Sequence, residues 1–138
     1  MWSTYYNGTV RFVRVRRLIV LSLEVGGING NDSDLLPVAL DTGASNTTIP
    51  PKVATALGYD LSTPKQEVEI ITGGGIVSAK IITVRKLTAL GQTVADIDVL
   101  CHDLPENSII DGLLGMNFLE HFDIDISFST ETIELRLR

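Results

Sequence analysis

Several residue types are scarce in this chain of 138 residues, and each scarcity excludes a class of protein. Cys101 is the only cysteine, which excludes an internal disulfide framework and a zinc site built on cysteines, and fits a reducing compartment. Eleven basic residues stand against 17 acidic ones, and the net charge of -6 argues against a general nucleic-acid-binding protein. No apolar run approaches the roughly 20 residues of a membrane-spanning helix, and no signal-peptide pattern opens the chain. We therefore expect a cytoplasmic protein without a membrane partner.

The remaining composition is that of one globular domain. Hydrophobic residues make up 44% of the chain and charged residues 20%, which is too apolar for a disordered protein. A chain of this length buries a real core without disulfides or metals. No internal repeat, low-complexity tract or linker divides it, so we expect a single domain over residues 1–138.

Period-two alternation of apolar and polar residues dominates the chain and predicts strands. Two short helices are predicted, Lys52 to Leu57 after Pro50-Pro51 and Asn117 to Phe122. Many short strands separated by turn residues favour a closed or strongly curled sheet over a parallel α/β array. The predicted strands are Val10–Val15, Leu18–Val25, Leu35–Leu40, Glu67–Thr72, Ile76–Val84, Val94–Cys101, Phe122–Phe128 and Thr132–Leu137.

Charge is unevenly distributed along the chain. Four arginines cluster between Arg11 and Arg17, whereas the stretch from Leu87 to Leu135 has no lysine or arginine and ten acidic residues. Two interpretations are open. The charges lie on solvated strand faces, or the basic start of one chain meets the acidic half of another copy.

The sequence Asp41-Thr42-Gly43 follows the apolar run Leu35 to Leu40. An acid at the end of a buried strand is unusual because an ionised carboxylate is costly to bury without partners. Asp and Gly are also common turn residues, so this motif alone leaves a plain turn and a functional site both open.

Two later features restrict the choice. Gly73-Gly74-Gly75 separates two predicted strands, and Leu113-Leu114-Gly115 places two apolar residues before a glycine and a predicted helix. A phosphate-binding loop is disfavoured at the triple glycine because no helix follows it, which leaves a plain hairpin turn or a flap tip. Together, Asp-Thr-Gly, the glycine-tipped hairpin and apolar-apolar-Gly in this order resemble the retropepsin-like aspartic proteases.

The resemblance covers about residues 18–137 and implies a mainly β, closed or curled β-barrel with a flap hairpin and one or two short helices. It implies that Asp41 is the catalytic carboxylate, that Thr42 hydrogen-bonds across a pair of active-site loops, and that Gly43 allows close approach of the substrate. It implies no metal and no cofactor. It also implies a set of substrate-binding residues: Ala44, Ser45, Ile71, Gly73, Gly74, Gly75, Ile76 and Leu113.

The chemistry of such a site requires a second acid. Two close carboxylates share one proton, so that one activates water while the other polarises the scissile carbonyl. The chain has a single Asp-Thr-Gly, because its other Thr-Gly is preceded by Ile71. The second Asp41 is therefore expected from another copy in a two-fold homodimer. The resemblance implies an intersubunit sheet of chain termini, for which Thr132 to Leu137 and Val10 to Val15 are the candidate strands.

Two positions depart from the viral members of the family, and a third, Ala44, is the viral-type residue but departs from the two-lobed enzymes. Ser45 and Met116 stand where those members usually have an acid and an arginine, which is the pattern expected when an ion pair is replaced as a unit. The dimer must then be held by other contacts. Ala44 lacks the hydroxyl that hydrogen-bonds the carboxylates in two-lobed enzymes, so we expect a mildly acid to neutral working pH. A rate maximum below about pH 3 would contradict this expectation.

Two functions remain open at the level of sequence. One is a homodimeric aspartic endopeptidase that cleaves extended polypeptides. The other is a catalytically weak or inactive dimerisation or peptide-binding module of the same fold, since fold alone does not fix function. His102, His121 and Cys101 show no ligand spacing or catalytic partner motif and are interpreted as surface or core residues.

Overall fold

The structure, a computed structural model, describes residues 8–138, with the side chains from residue 9 onward. It contains eleven strands and two short helices in the described part. In chain order these are β1 (Gly8–Arg11), β2 (Val13–Val15), β3 (Leu18–Gly26), β4 (Ser33–Leu40), β5 (Thr47–Ile49), α1 (Pro51–Ala56), β6 (Gln66–Thr72), β7 (Gly75–Ala89), β8 (Gln92–Cys101), β9 (Gly112–Leu114), α2 (Met116–Leu119), β10 (Phe122–Ser127) and β11 (Thr132–Leu137).

Eight strands form one sheet in the order β2-β3-β4-β9-β5-β8-β7-β6. The 15-residue strand β7 also pairs with β3 through Glu24–Thr88 and Val25–Leu87, which closes six of the strands into a barrel. The β4–β9 and β5–β8 pairs are parallel, and the other pairs are antiparallel. The mainly β, closed architecture predicted from the sequence is confirmed.

The barrel interior is filled by the inward-facing residues of these strands. Leu23, Val38, Val99 and Phe118 have no exposed surface, and Cys101 lies in the same core. Each fully buried side chain of this size contributes on the order of 2 kcal/mol to folding. Within residues 8–138, no helix is long and apolar enough to cross a membrane.

The first helix follows the local signals of the sequence. Pro51 occupies its first turn, where the missing N–H costs nothing, and Gly58 follows its end with φ +94°. The second helix, α2, differs from the prediction: it ends at Leu119, because Phe122 already belongs to β10 and pairs with Leu137. The predicted helix to Phe122 is therefore too long.

The predicted strand Val10–Val15 is two strands in two sheets. The break falls at Phe12, whose side chain is buried and whose N–H donates to the carbonyl of Glu131 at 3.0 Å. The short strands β5 and β9 are additions that the sequence pattern did not indicate. Both are three residues long; they lie side by side, and the longer strands β4 and β8 flank the pair.

The chain termini form a separate three-stranded sheet in the order β1-β11-β10. Strand β11 lies in the middle and is paired on both sides, with β1 from Gly8 to Arg11 and with β10 along its whole length. Within residues 8–138 both edges of β11 are paired from Thr132 to Leu135, which leaves little of that strand open to a second chain. The intersubunit sheet of chain termini stays a prediction. The expected single domain extends to residues 1–7, which lie outside the described residues.

Candidate active site

Asp41, Thr42 and Gly43 form a turn directly after β4. The N–H of Asp41 donates to the carbonyl of Leu114 at 2.9 Å, so β9 holds the start of the turn. Asp41 Oδ1 accepts a hydrogen bond from the N–H of Gly43 at 2.9 Å, and the N–H of Ala44 donates to the Asp41 carbonyl at 3.2 Å. Asp41 is half-buried and Thr42 is exposed. The turn therefore presents an oriented carboxylate to solvent.

Strand β9 supports this turn because it is inserted between β4 and β5. Leu113 pairs in parallel with Ala39, two residues before Asp41, and in antiparallel with Thr48. A Cβ atom on Gly112 would lie 2.2 Å from the Thr48 carbonyl oxygen, which is far inside contact distance. Only glycine allows the two backbones to approach this closely.

A hydrogen-bond network centred on Asn117 fixes the other side of the turn. Asn117 Oδ1 accepts bonds from the N–H of Thr47 at 2.9 Å and from its hydroxyl at 3.0 Å. Asn117 Nδ2 donates to the Asp98 carbonyl at 2.6 Å, and the N–H of Gly115 donates to Thr47 Oγ1 at 3.1 Å. This network joins β5, β8 and α2. The sequence prediction assigned no role to Asn117 or Thr47. The available signal is the amide side chain at the start of a short helix, but the sequence does not show that it meets Thr47, which lies 70 positions earlier.

Backbone hydrogen bonds connect the turn to α2 at the two positions where the sequence departs from the viral pattern. The N–H of Met116 donates to the Ala44 carbonyl at 2.8 Å, and the N–H of Asn117 donates to the Ser45 carbonyl at 3.1 Å. These bonds hold the loop to the helix within one chain without any side-chain ion pair between Ser45 and Met116.

The side-chain carboxylate of Asp98 flanks this network on β8. Partial burial would raise its pKa, but hydrogen bonds from Lys65 and Thr83, together with the charge of Lys65, outweigh that effect and hold the pKa below its usual range. The Lys65–Asp98 ion pair is 2.9 Å long and largely exposed, so it contributes at most about 1 kcal/mol.

The hairpin of β6 and β7 has a two-residue turn at Gly73 and Gly74. Thr72 pairs with Gly75, and its hydroxyl donates to the Gly75 carbonyl at 2.9 Å and accepts from the N–H of Gly74 at 3.2 Å. Gly75 adopts φ +116°, a conformation that favours glycine. Added Cβ atoms at Gly73 and Gly75 would meet nothing within 4 Å, so the tip projects into open space.

Ile71 and Ile76 face each other across the strands just below this tip. They are 85% and 67% exposed, which is unusual for two large apolar side chains that are direct neighbours. This pair of exposed apolar side chains is therefore a candidate for contact with a ligand or another chain.

The structure thus places the predicted site residues in two groups. Asp41, Thr42, Gly43, Ala44 and Ser45 form one loop, and Leu113 lies on the strand beside it. The second group, Ile71, Gly73, Gly74, Gly75 and Ile76, forms the hairpin tip, and no hydrogen bond within residues 8–138 joins it to the loop.

Each chain supplies one Asp41. Among the described residues, no group of three or more His, Cys, Asp or Glu side chains is placed to hold a metal ion.

Comparisons with known proteins agree with this geometry. A family model described as aspartyl protease matches residues 21–118, which include the Asp41 turn, the hairpin and β9. No curated protein matches the chain. Among solved structures, the chain is similar to a retropepsin-like aspartic protease from Rickettsia conorii, with 26% sequence identity and a TM-score of 0.68 over 98% of this chain and 94% of that one. The chain therefore belongs to the aspartyl protease family and has the retropepsin-like fold.

Proposed function

We propose that this protein is a homodimeric aspartic endopeptidase in which the Asp41 carboxylates of two chains activate one water molecule. The observation that carries the proposal is the Asp41 turn: a half-buried carboxylate, oriented by the N–H of Gly43 at 2.9 Å, at the end of a barrel strand in a chain of the aspartyl protease family. A single Asp-Thr-Gly per chain makes each subunit half of a site.

The proposed reaction depends on two carboxylates that share one proton. Close like charges disfavour double ionisation, so one Asp41 remains protonated at a pH where its partner is ionised. The ionised carboxylate takes a proton from water as the water attacks the scissile carbonyl carbon. The protonated carboxyl donates to the carbonyl oxygen, and a proton then passes to the leaving amine as the C–N bond breaks. The rate should fall at low pH, where both are protonated, and at high pH, where both are ionised.

The residues around Asp41 have positioning roles in this proposal. The exposed Thr42 is next to the reacting carboxylate, where its hydroxyl can reach the partner's loop across the two-fold axis. Gly43 has no side chain to hinder the approach of a peptide backbone. Ala44 and Ser45 extend the loop as its substrate-facing continuation, and both carbonyls are already occupied by the α2 hydrogen bonds.

Substrate binding is assigned to the loop, Leu113 and the hairpin. Leu113 is partly exposed beside the catalytic strand and provides an apolar pocket wall. The hairpin acts as a flap in which Gly73, Gly74 and Gly75 approach the peptide backbone, and the exposed Ile71 and Ile76 cover its apolar side chains. An extended peptide between flap and floor would be held mainly by main-chain hydrogen bonds.

The test compares wild-type protein with Asp41→Asn on an unfolded protein and a peptide library between pH 3 and pH 8. We expect cleavage next to apolar residues by the wild type, lowered by at least about 10³-fold in the variant, since that change removes the proton-transfer group from both sides. Thr63→Val, at an exposed residue away from the loop, is the control and should cleave normally. Cleavage that survives Asp41→Asn refutes the assignment. A confirmed dimer without cleavage at any pH supports the peptide-binding module instead.

A further inference from the structure

The β4–β9 pair has two faces, and the proposed catalytic residue lies on the one that points away from the barrel core. Val38 and Leu114 belong to the core, whereas Ala39 and Leu113, which pair with each other, do not. Side chains alternate between the two faces along a strand, so Asp41, two residues after Ala39, shares the face of Ala39 and Leu113. We call this the outer face.

Asp111 lies at the start of the same strand pair. Its N–H donates to the carbonyl of Pro37 at 2.8 Å, which fixes its backbone beside β4. Burial alternates along residues 110–114, and Asp111 and Leu113 are the two residues that reach solvent. Because Pro37 is four residues before Asp41, Asp111 lies about 13 Å from Asp41 along the strands, with Leu113 between them on the outer face.

The carboxylate of Asp111 has a fixed position and no use within the chain. In residues 9–138, no hydrogen bond or ion pair involves its side chain. The position of the side chain is thus set by the strand ladder, while its charge is available to a bound molecule.

A cleft of about 440 Å³ opens beside this carboxylate. Its lining includes Ile110 and three acidic side chains, Asp103, Glu106 and Asp111, against one basic side chain, Lys52. Lys52 forms no ion pair with any of these acids in the described part of the chain. The cleft therefore has room for a long side chain, and its excess of negative charge favours a cation.

We propose that Asp111 is a specificity-determining residue that selects a lysine or arginine in the bound peptide, at one of the positions that flank the cleaved bond. The apolar stem of that side chain packs on Leu113, and its charged head reaches the Asp111 carboxylate. Residues 111 and 113 are about 7 Å apart along the strand, which suits such a stem. This inference rests on the proposed function and adds a basic residue to the apolar preference expected at the cleaved bond.

The size of the preference follows from one charge-assisted hydrogen bond. Methionine is the matched comparison, because it has a flexible stem of similar length and no charge. A peptide with lysine should bind about tenfold more tightly than the same peptide with methionine. Glutamate at that position should be disfavoured, because it places a carboxylate beside Asp111. High salt should shrink the difference between lysine and methionine, since it screens charges at a partly open site.

The experiment uses short peptides with an apolar pair at the centre, in which each other position in turn carries lysine, methionine or glutamate. Cleavage by the full wild-type chain gives kcat/KM. Fluorescence anisotropy of labelled peptides on Asp41→Asn gives Kd without turnover. Asp111→Asn and Asp111→Lys change the proposed residue in both measurements. Asp32→Asn is the control: it removes the same charge from an exposed loop residue at the other end of β4.

At one position, we expect lysine to be preferred over methionine about tenfold in both kcat/KM and Kd. Asp111→Asn should abolish this preference, Asp111→Lys should replace it by a preference for glutamate, and Asp32→Asn should keep the wild-type values. The circular dichroism of both Asp111 variants should match the wild type, because the side chain is exposed and unpaired in the described structure.

Two results would overturn the inference: no position that prefers lysine, or a lysine preference that survives Asp111→Asn. Cleavage of the methionine peptides in either case leaves the proposed function intact. Peptide binding that follows the charge at residue 111, without cleavage of any peptide by the wild type, overturns the proposed function and leaves the subsite standing. A folded Asp111→Asn that no longer cleaves the methionine peptides also overturns the inference, because a residue that only selects a basic side chain does not affect them.

Discussion

Asn117 is the residue whose loss should cost the site most without touching Asp41. Its side chain accepts two hydrogen bonds from Thr47 and donates one to the Asp98 carbonyl. Thr47 has no exposed surface, so water does not readily replace these bonds. The change Asn117→Ala removes the partner that Asn117 supplies to three polar groups: the N–H and the hydroxyl of Thr47, which keeps only its bond from the N–H of Gly115, and the carbonyl of Asp98.

The expected cost follows from those three groups. A buried polar group left without a partner costs about 1–3 kcal/mol. Since Asn117 itself is only half-buried and its truncation admits some water, the low end applies, which gives about 3 kcal/mol for Asn117→Ala. That is a large part of a typical stability of about 5–15 kcal/mol, and it corresponds to a decrease in Tm of about 10 °C for a domain of this size.

The assay is urea unfolding followed by circular dichroism at pH 7, with all variants at one protein concentration because dimerisation shifts apparent stability. Asn107→Ala, at an exposed loop asparagine, is the control and should stay within about 0.5 kcal/mol of wild type. A loss in Asn117→Ala below about 1 kcal/mol, or one equal to the control, refutes the reasoning that this network holds the loop.

A second substitution at the same position separates the acceptor bonds from the donor bond. Asn117→Asp keeps an acceptor for Thr47, but its ionised carboxylate faces the Asp98 carbonyl oxygen without a proton to donate. The neutral acid restores that donor, so the folded state raises the pKa of the new carboxyl. Stability should therefore be greatest below the unfolded pKa near 4 and decline as the pH rises through the folded value. A variant whose deficit relative to wild type is the same at pH 4 and pH 7 contradicts the assigned donor.

Three further outcomes follow from other parts of the fold. Gly112→Ala should destabilise the protein by about 3 kcal/mol in thermal unfolding, because the new Cβ lies 2.2 Å from the Thr48 carbonyl; an unchanged Tm would refute that packing. Burial raises the pKa of the Cys101 thiol from about 9 to about 11. The buried neutral thiol therefore contributes its full stability below pH 9, and this contribution is lost as the pH rises through 11. Cys101→Ala should flatten this alkaline decline of stability in urea titrations. Arg16 and Arg17 form the β2–β3 turn with φ of 52° and 70°, so Arg16→Asn/Arg17→Gly should raise stability by about 1 kcal/mol, and a lower Tm would contradict the strain.

The sequence was sufficient for the features that depend on local chemistry. Residue type gives a short-range signal for the Asp41 turn and for the glycine-tipped hairpin. Alternation gives one for the positions of most strands along the chain. The helix α1 is predicted to within one residue at each end by Pro51 and Gly58. These features need only the neighbouring residues to decide the backbone conformation.

The features that the sequence did not predict are those whose backbone conformation depends on contacts with residues far away in the chain. The break at Phe12 depends on a hydrogen bond to Glu131, far along the chain, and the alternation around it is the same with or without the break. Strands β5 and β9 have only three residues each and are ordered by the strands on both sides. A window of local sequence does not contain those contacts.

The terminal sheet shows a strand order that alternation does not predict. Alternation alone predicts β10 and β11 equally well as strands, and it does not say which of them is at an edge. The polar positions of β10 within the alternation are Asp123 and Asp125, whereas β11 alternates buried Ile133 and Leu135 with residues of both charges. Exposed carboxylates on an edge strand protect that edge from indiscriminate pairing. They do not by themselves decide where a strand lies, since β8, inside the larger sheet, carries Asp96 and Asp98.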